Sequence, residues 1–105
     1  MKAVFIDAEA RTVEDVEIEN DMDAFYKKID CGIVQGIRTG GTEYLLCDEE
    51  AGFKDLRDGF ICHFANETFI LGNALIVDSR KCDFADVKRT ADEIRHGITF
   101  RRYDA

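Results

Sequence analysis

At 105 residues, with 46% hydrophobic side chains and eight Phe, the chain is sized for one domain around one core. Twenty-two acids against fourteen Lys and Arg give a formal charge of −8, a field that opposes binding to polyanions. No apolar run approaches the ~18 residues of a membrane-spanning helix, and no apolar leader follows a charged start, so a cytoplasmic protein without a signal peptide is expected.

Taken in order, Lys2 to Ile6 is nearly continuous in apolar residues and predicts an internal strand. After a turn at residues 7–11, Thr12 to Ile18 predicts a second strand, with Val16 and Ile18 on one face and Asp15, Glu17 and Glu19 on the other. Val13 falls out of phase with Val16, which points to a bulge near Glu14-Asp15. Asn20 or Asp21 suits the N-cap of a helix whose Met22, Phe25, Tyr26 and Ile29 share one face. That stripe reads as core packing. Lys27 and Lys28 favour its C-terminus, with Gly32 as the residue after the cap.

Two strand-like runs, residues 33–39 and 42–48, flank Gly40-Gly41 and predict a two-residue hairpin. The implied register sets Arg38 opposite Glu43 and Ile37 opposite Tyr44. Gly40-Gly41 opens no helix and lacks a following Lys-Ser/Thr, so it is not read as a phosphate cradle. Phe53 and Leu56 are expected to dock one short helical turn, and residues 60–64 to form a strand with Phe60, Cys62 and Phe64 on one face. Residues 65–68 then turn the chain into Phe69-Ile70-Leu71.

Residues 74–77, Ala-Leu-Ile-Val between Gly72-Asn73 and Asp78-Ser79, predict a strand buried on both faces at the centre of the sheet. A turn at Ser79-Arg80-Lys81 should bring residues 82–87 back beside it. Thr90-Ala91-Asp92-Glu93 matches a capping box, opening a short helix to His96 that Gly97 ends. Ile98 and Phe100 alternate with Thr99 and Arg101 as an edge strand, the alternative being one longer helix through Gly97. The chain therefore reads as an α+β domain spanning residues 1–105, a mixed but mainly antiparallel sheet with one or two short helices packed on it.

Cys31, Cys47, Cys62 and Cys82 are far apart, with no C-x-x-C, and are read as reduced thiols, some of them in the core. Cys62 and His63 are adjacent, but neighbouring strand residues point to opposite faces, so no metal site is expected. Neither of the two His lies in a nucleophile or metal motif, and no cofactor or catalytic residue is expected.

The charge is uneven. Residues 1–55 hold fourteen acids against six bases, whereas residues 56–105 hold eight of each. Residues 7–23 alone carry eight carboxylates and one cation, Arg11. Such a run is often only a solvated face, yet crowding like charges costs stability through self-repulsion. Alternate side chains on a strand repeat every ~6.8 Å, about twice the ~3.4 Å rise per phosphate along one DNA strand. Asp15, Glu17, Glu19, Asp21 and Asp23 are thus the candidate protein-binding residues.

The opening Met-Lys-Ala-Val-Phe-Ile-Asp with Arg-Thr-Val-Glu-Asp-Val-Glu-Ile, then Cys-Asp-Glu-Glu-Ala-Gly, Leu-Gly-Asn-Ala-Leu-Ile-Val and Asp-Val-Lys-Arg-Thr-Ala-Asp-Glu-Ile, resembles an uncharacterised family of small proteins encoded by phages and mobile elements. The likeness covers most of the chain and is weakest over residues 53–68. The resemblance implies no catalytic residues, only a setting in which small acidic proteins often inhibit host defences. Two readings follow. One is an inhibitor whose acidic face occupies a basic, nucleic-acid-binding surface of a host protein or ribonucleoprotein, such as a CRISPR effector or restriction enzyme. The other is a structural or regulatory module that associates by a strand edge or apolar patch. Direct nucleic-acid binding through the basic residues between Arg80 and Arg102 ranks third.

Overall fold

The computed structural model describes residues 1–103. Its elements are β1 (Lys2–Asp7), β2 (Thr12–Glu17), α1 (Met22–Ile29), β3 (Val34–Gly40), β4 (Glu43–Asp48), β5 (Asp58–Cys62), β6 (Thr68–Leu71), β7 (Ala74–Arg80), β8 (Asp83–Ala85), α2 (Ala91–Arg95) and β9 (Ile98–Arg102). A large sheet runs β2-β1-β7-β4-β3, with β8 joined to the end of β7, and a small sheet runs β6-β5-β9. The chain is α+β, and its pairings are antiparallel.

β7 lies between β1 and β4, and residues 74–77 are sealed from solvent. Its alternate side chains feed two cores. Ala74 and Ile76 join Val4, Ile6, Val13, Leu45 and Cys47 beneath the small sheet and α2. Leu75 and Val77 join Ala3, Phe5 and Leu46 beneath Phe25 and Ile29 of α1. A sheet covered on both faces has no wet side, which is why its central strand is apolar without a period.

The same two-sided burial explains β2. Val13 and Val16 point to opposite cores, and the β1–β2 register from Lys2↔Glu17 to Asp7↔Thr12 is unbroken, so the expected bulge is absent. Several other expectations need correction. β7 continues through Ser79 and Arg80, because Asp83–Ala85 pairs with its end and the turn falls at Lys81, which takes a left-handed φ of 59°. β8 therefore flanks only the tip of β7, while β1 and β4 are its main neighbours. Asp30, at φ 68°, ends α1 in place of Gly32. The Asp30 N–H donates to the Tyr26 carbonyl at 2.8 Å.

In the β3–β4 hairpin Arg38 faces Tyr44, Ile37 faces Leu45 and Gly40 pairs with Glu43, one residue off the expected register. Thr39 is the extra residue, and only Gly41 of the turn occupies the left-handed region, at φ 55°. The bulge has a use, since the Thr39 hydroxyl donates to the Glu43 carboxylate. Phe53 does not dock. The short 3₁₀ turn at Ala51–Phe53 buries Ala51 and leaves Phe53 92% exposed. Met22, expected in the core stripe, is 42% exposed at the start of α1.

The second sheet is an addition to the single sheet expected. Phe60 packs edge-to-face on Phe100 at 6.3 Å and, with Cys62 and Ile70, closes the core over the large sheet. Gly59 is required there. A Cβ at that position would run into the Ile70 carbonyl on the neighbouring strand and the Phe69 ring. α2 carries the predicted capping box at Thr90 and Glu93, and β9 follows it as a strand rather than more helix.

Candidate functional site

The acidic segment forms the corner where β2 leaves the large sheet and α1 begins. β2 ends at Glu17 because the chain must turn here to lay α1 on the sheet, so Glu19 lies beyond the strand. The Met1 amino nitrogen donates to the Ile18 carbonyl at 2.9 Å, and Glu17, its side chain 74% exposed, stands 3.6 Å from that nitrogen. Asp21 is the N-cap of α1, its Oδ1 accepting from the Ala24 N–H at 2.8 Å, and Asp23 occupies the first helical turn. Both carboxylates favour the helix N-terminus electrostatically.

Asp15 has a different job. Its Oδ1 accepts the Ala91 N–H at 2.9 Å, at the start of α2. Arg95 at the other end of that helix donates to the Val13 carbonyl at 2.6 Å. The acidic strand is therefore also the seat of α2. Asp15 and Glu17 border a cleft that contains Lys2, Lys88 and Arg89, which moderates their charge. The structure thus brings Glu17, Glu19, Asp21 and Asp23 to one corner and commits Asp15 to the fold. A regular phosphate-like row of Asp15, Glu17 and Glu19 along one strand is not formed.

One further carboxylate joins the corner. Asn20 Nδ2 donates to Asp83 Oδ1 at 3.3 Å and to the Phe84 carbonyl at 3.0 Å, anchoring the β7–β8 turn beside α1. Nothing in the sequence links residues 20 and 83. Between α1 and the β3–β4 surface lies a groove of about 490 Å³, floored by Phe25, Val34, Tyr44, Leu46 and Phe84, with Asp21 and Asp83 at its rim.

The corner is dense in carboxylates without cationic side-chain partners. Among the described residues, no Lys or Arg side chain lies within salt-bridge distance of a carboxylate of residues 7–23. Elsewhere the carboxylates that are buried against other elements, Asp48, Asp78 and Glu43, find partners. Lys54 Nζ stands 2.6 Å from the buried Asp48 and donates to the Asp30 carbonyl at 3.0 Å. The Asp48 carboxylate beside it holds the Lys54 ammonium above its ordinary pKa. Arg89 grips Glu43 through two nitrogens, 2.8 and 2.5 Å, and lies 4.3 Å from the Phe64 ring centre. Asp78 is buried beside Thr42. Burial pushes its carboxyl up, but the Thr42 hydroxyl, the Ser79 N–H and Lys88 outweigh it and leave the pKa lowered.

The other chemistry-bearing group centres on His63, which the sequence offered only as the neighbour of Cys62, with no sign of Glu67 or Thr99. His63 Nδ1 meets Glu67 Oε2 at 2.5 Å and its Nε2 meets Thr99 Oγ1 at 2.8 Å. Carboxylate, imidazole and hydroxyl are connected as in a catalytic relay, but they lie on the open outer face of the small sheet. The Thr99 hydroxyl sits on a strand paired with β5 rather than on a strained turn. The contacts tie the turn that follows β5 to β9. Among the described residues no cluster of three or more His, Cys, Asp or Glu side chains is arranged to hold a metal. Among the described residues no helix is long and apolar enough to cross a membrane.

No family model, curated protein or solved structure matches the chain.

Proposed function

We propose that the protein is a non-enzymatic binding module that engages a basic protein surface through the β2–α1 corner, acting as an inhibitor of a nucleic-acid-binding host complex. The observation that carries this reading is the local density of unpaired charge. Eight carboxylates fall within residues 7–23, and among the described residues none has a Lys or Arg partner. Unpaired like charges raise the energy of the free protein, and a complementary basic surface lowers it. The resemblance to phage and mobile-element proteins supplies the setting, a defence complex of the CRISPR or restriction type.

The test separates the corner from the fold. Glu17 and Glu19 become Gln, and Asp21, Asp23 and Asp83 become Asn, while Asp15 is kept because it accepts the Ala91 N–H that seats α2 on the sheet. The wild-type chain and this variant are compared as baits in lysate of a candidate host bacterium, at low salt and at 1 M, where the Debye length falls to ~3 Å. The expected result is a captured protein that loses its nucleic acid when the chain is added and that neither the variant nor high salt retains. Capture that survives both changes overturns the reading and moves the interface to apolar surface.

One observation favours that second reading. On the outer face of the small sheet, Phe69 and Tyr103 are exposed and stacked, with ring centres 6.2 Å apart. Exposed paired aromatics are typical anchors of protein interfaces.

A further inference from the structure

The groove beside the acidic corner has the composition of a side-chain receptor. α1 covers only part of its face of the large sheet. Phe25 packs edge-to-face against Phe84 at 5.7 Å, and beyond them Val34 and Tyr44 remain half-buried. Gly36, on β3, contributes no side chain, so the floor stays open above Leu46. The volume of about 490 Å³ is within the range of pockets that hold small ligands.

Charge at the rim determines what fits. Asp21 and Asp83 come from different elements and are tied together through Asn20. Each spends Oδ1 on the fold, Asp21 on the Ala24 N–H and Asp83 on the Phe84 N–H, both at 2.8 Å. Neither Oδ2 has a hydrogen bond within the described residues. An aromatic groove with two carboxylates in its lining, each with one oxygen unused by the fold, suits a cation on a long apolar stem. Arginine suits it better than lysine, because its planar guanidinium stacks on rings, sheds water more readily and reaches two carboxylates at once.

We propose that this groove is an arginine-anchoring subsite, its stem contacts made by Tyr44 and Phe84 and its guanidinium held by Asp21 and Asp83. The proposal rests on the reading of the acidic corner given above and names the residue of the basic partner that enters first. Lys81 is the cation in the lining. It repels the incoming guanidinium, so Lys81→Ala tightens binding.

The probes are the blocked amides of arginine and lysine, titrated at low salt into the full-length ¹⁵N-labelled protein. Saturable shifts should appear at Gly36, Tyr44 and Phe84, with the lysine amide several-fold weaker. Gly36→Leu fills the groove at little cost to the fold, since a Cβ there meets Leu46 and Tyr44 at 3.6 and 3.7 Å, ordinary contact distances. It should abolish the shifts while distant resonances stay in place, and Asp83→Asn should erase the preference for arginine. Equal, diffuse shifts with both amides, or unchanged binding in Gly36→Leu, overturn the subsite.

Hexalysine and hexa-arginine separate the two proposals. If both peptides shift Glu17, Glu19 and Asp23 while the groove stays silent, the corner stands and the subsite falls. If arginine fills the groove but Glu17→Gln, Glu19→Gln and Asp23→Asn together leave peptide affinity unchanged, the subsite stands and the corner falls.

Discussion

The Glu43–Arg89 clamp is an interaction whose loss should be felt where β4 of the large sheet meets the segment before α2. It joins the first residue of β4 to the segment before α2, with the guanidinium lying over Phe64 in the turn between β5 and β6. Side-chain exposure is 12% for Glu43 and 33% for Arg89, between the surface pairs worth about 0–1 kcal/mol and the buried pairs whose breaking costs about 3–5 kcal/mol. Glu43→Ala strands Arg89 against an aromatic ring and also frees the Thr39 hydroxyl at the bulge. A cost of about 2 kcal/mol follows, which lowers the melting temperature by roughly 8 °C in a domain of this size. Arg89→Lys should recover little, because an ammonium cannot reproduce the two-nitrogen contact. The assay is chemical denaturation of wild type, Glu43→Ala, Arg89→Ala and the double variant at neutral pH. The cycle removes the small general gain that comes from lowering the net negative charge. A coupling energy of about 1–2 kcal/mol is expected. Coupling below about 0.5 kcal/mol would show that the contact is a surface pair despite its burial, and the argument would fail.

Two more outcomes are expected. Gly59→Ala must push apart β5 and β6, because its Cβ has no room beside the Ile70 carbonyl, and should cost about 3 kcal/mol by thermal or denaturant unfolding; a loss under about 1 kcal/mol would mean that the small sheet yields freely. The thiols should react in order of exposure: Cys82 first, Cys31 next, Cys47 and Cys62 only on unfolding, since burial pushes the last two up to about 11. Fast alkylation of all four in the native protein would contradict the two-core packing.

Much of this fold was legible because its strongest local signals agree with its tertiary contacts. The run at 74–77 is apolar on both sides because both sides are buried. Helix α1 announced itself through the Phe25–Ile29 spacing, and α2 through Thr90 and Glu93. The misreadings arose where tertiary contacts outweighed local chemistry. Gly40-Gly41 suggests a turn at both glycines, but pairing of Gly40 with Glu43 displaced the turn by one residue and bulged Thr39. Val13 looked like a phase error only because one wet face was assumed for β2. The candidate site was legible as composition and not as geometry. The acids are contiguous in sequence, yet Asp15 is claimed by a backbone N–H 76 residues away, and Asp83 is brought in from the far end of the chain. Contacts of that span leave no local trace.

The position of β7 also sets a schedule. During synthesis β1 pairs with β2 and β3 with β4 as local hairpins, but β1 and β4 have no common neighbour until residues 74–77 emerge. Non-local pairing of this kind is slow, and until it happens each hairpin offers the ribosome-bound chain an unpaired apolar edge. The first 55 residues, which must wait, are the ones that carry the whole excess of negative charge. Mutual repulsion between nascent copies opposes pairing of those edges from chain to chain until β7 covers them, so the charge excess also acts as a guard against aggregation while the molecule is being made.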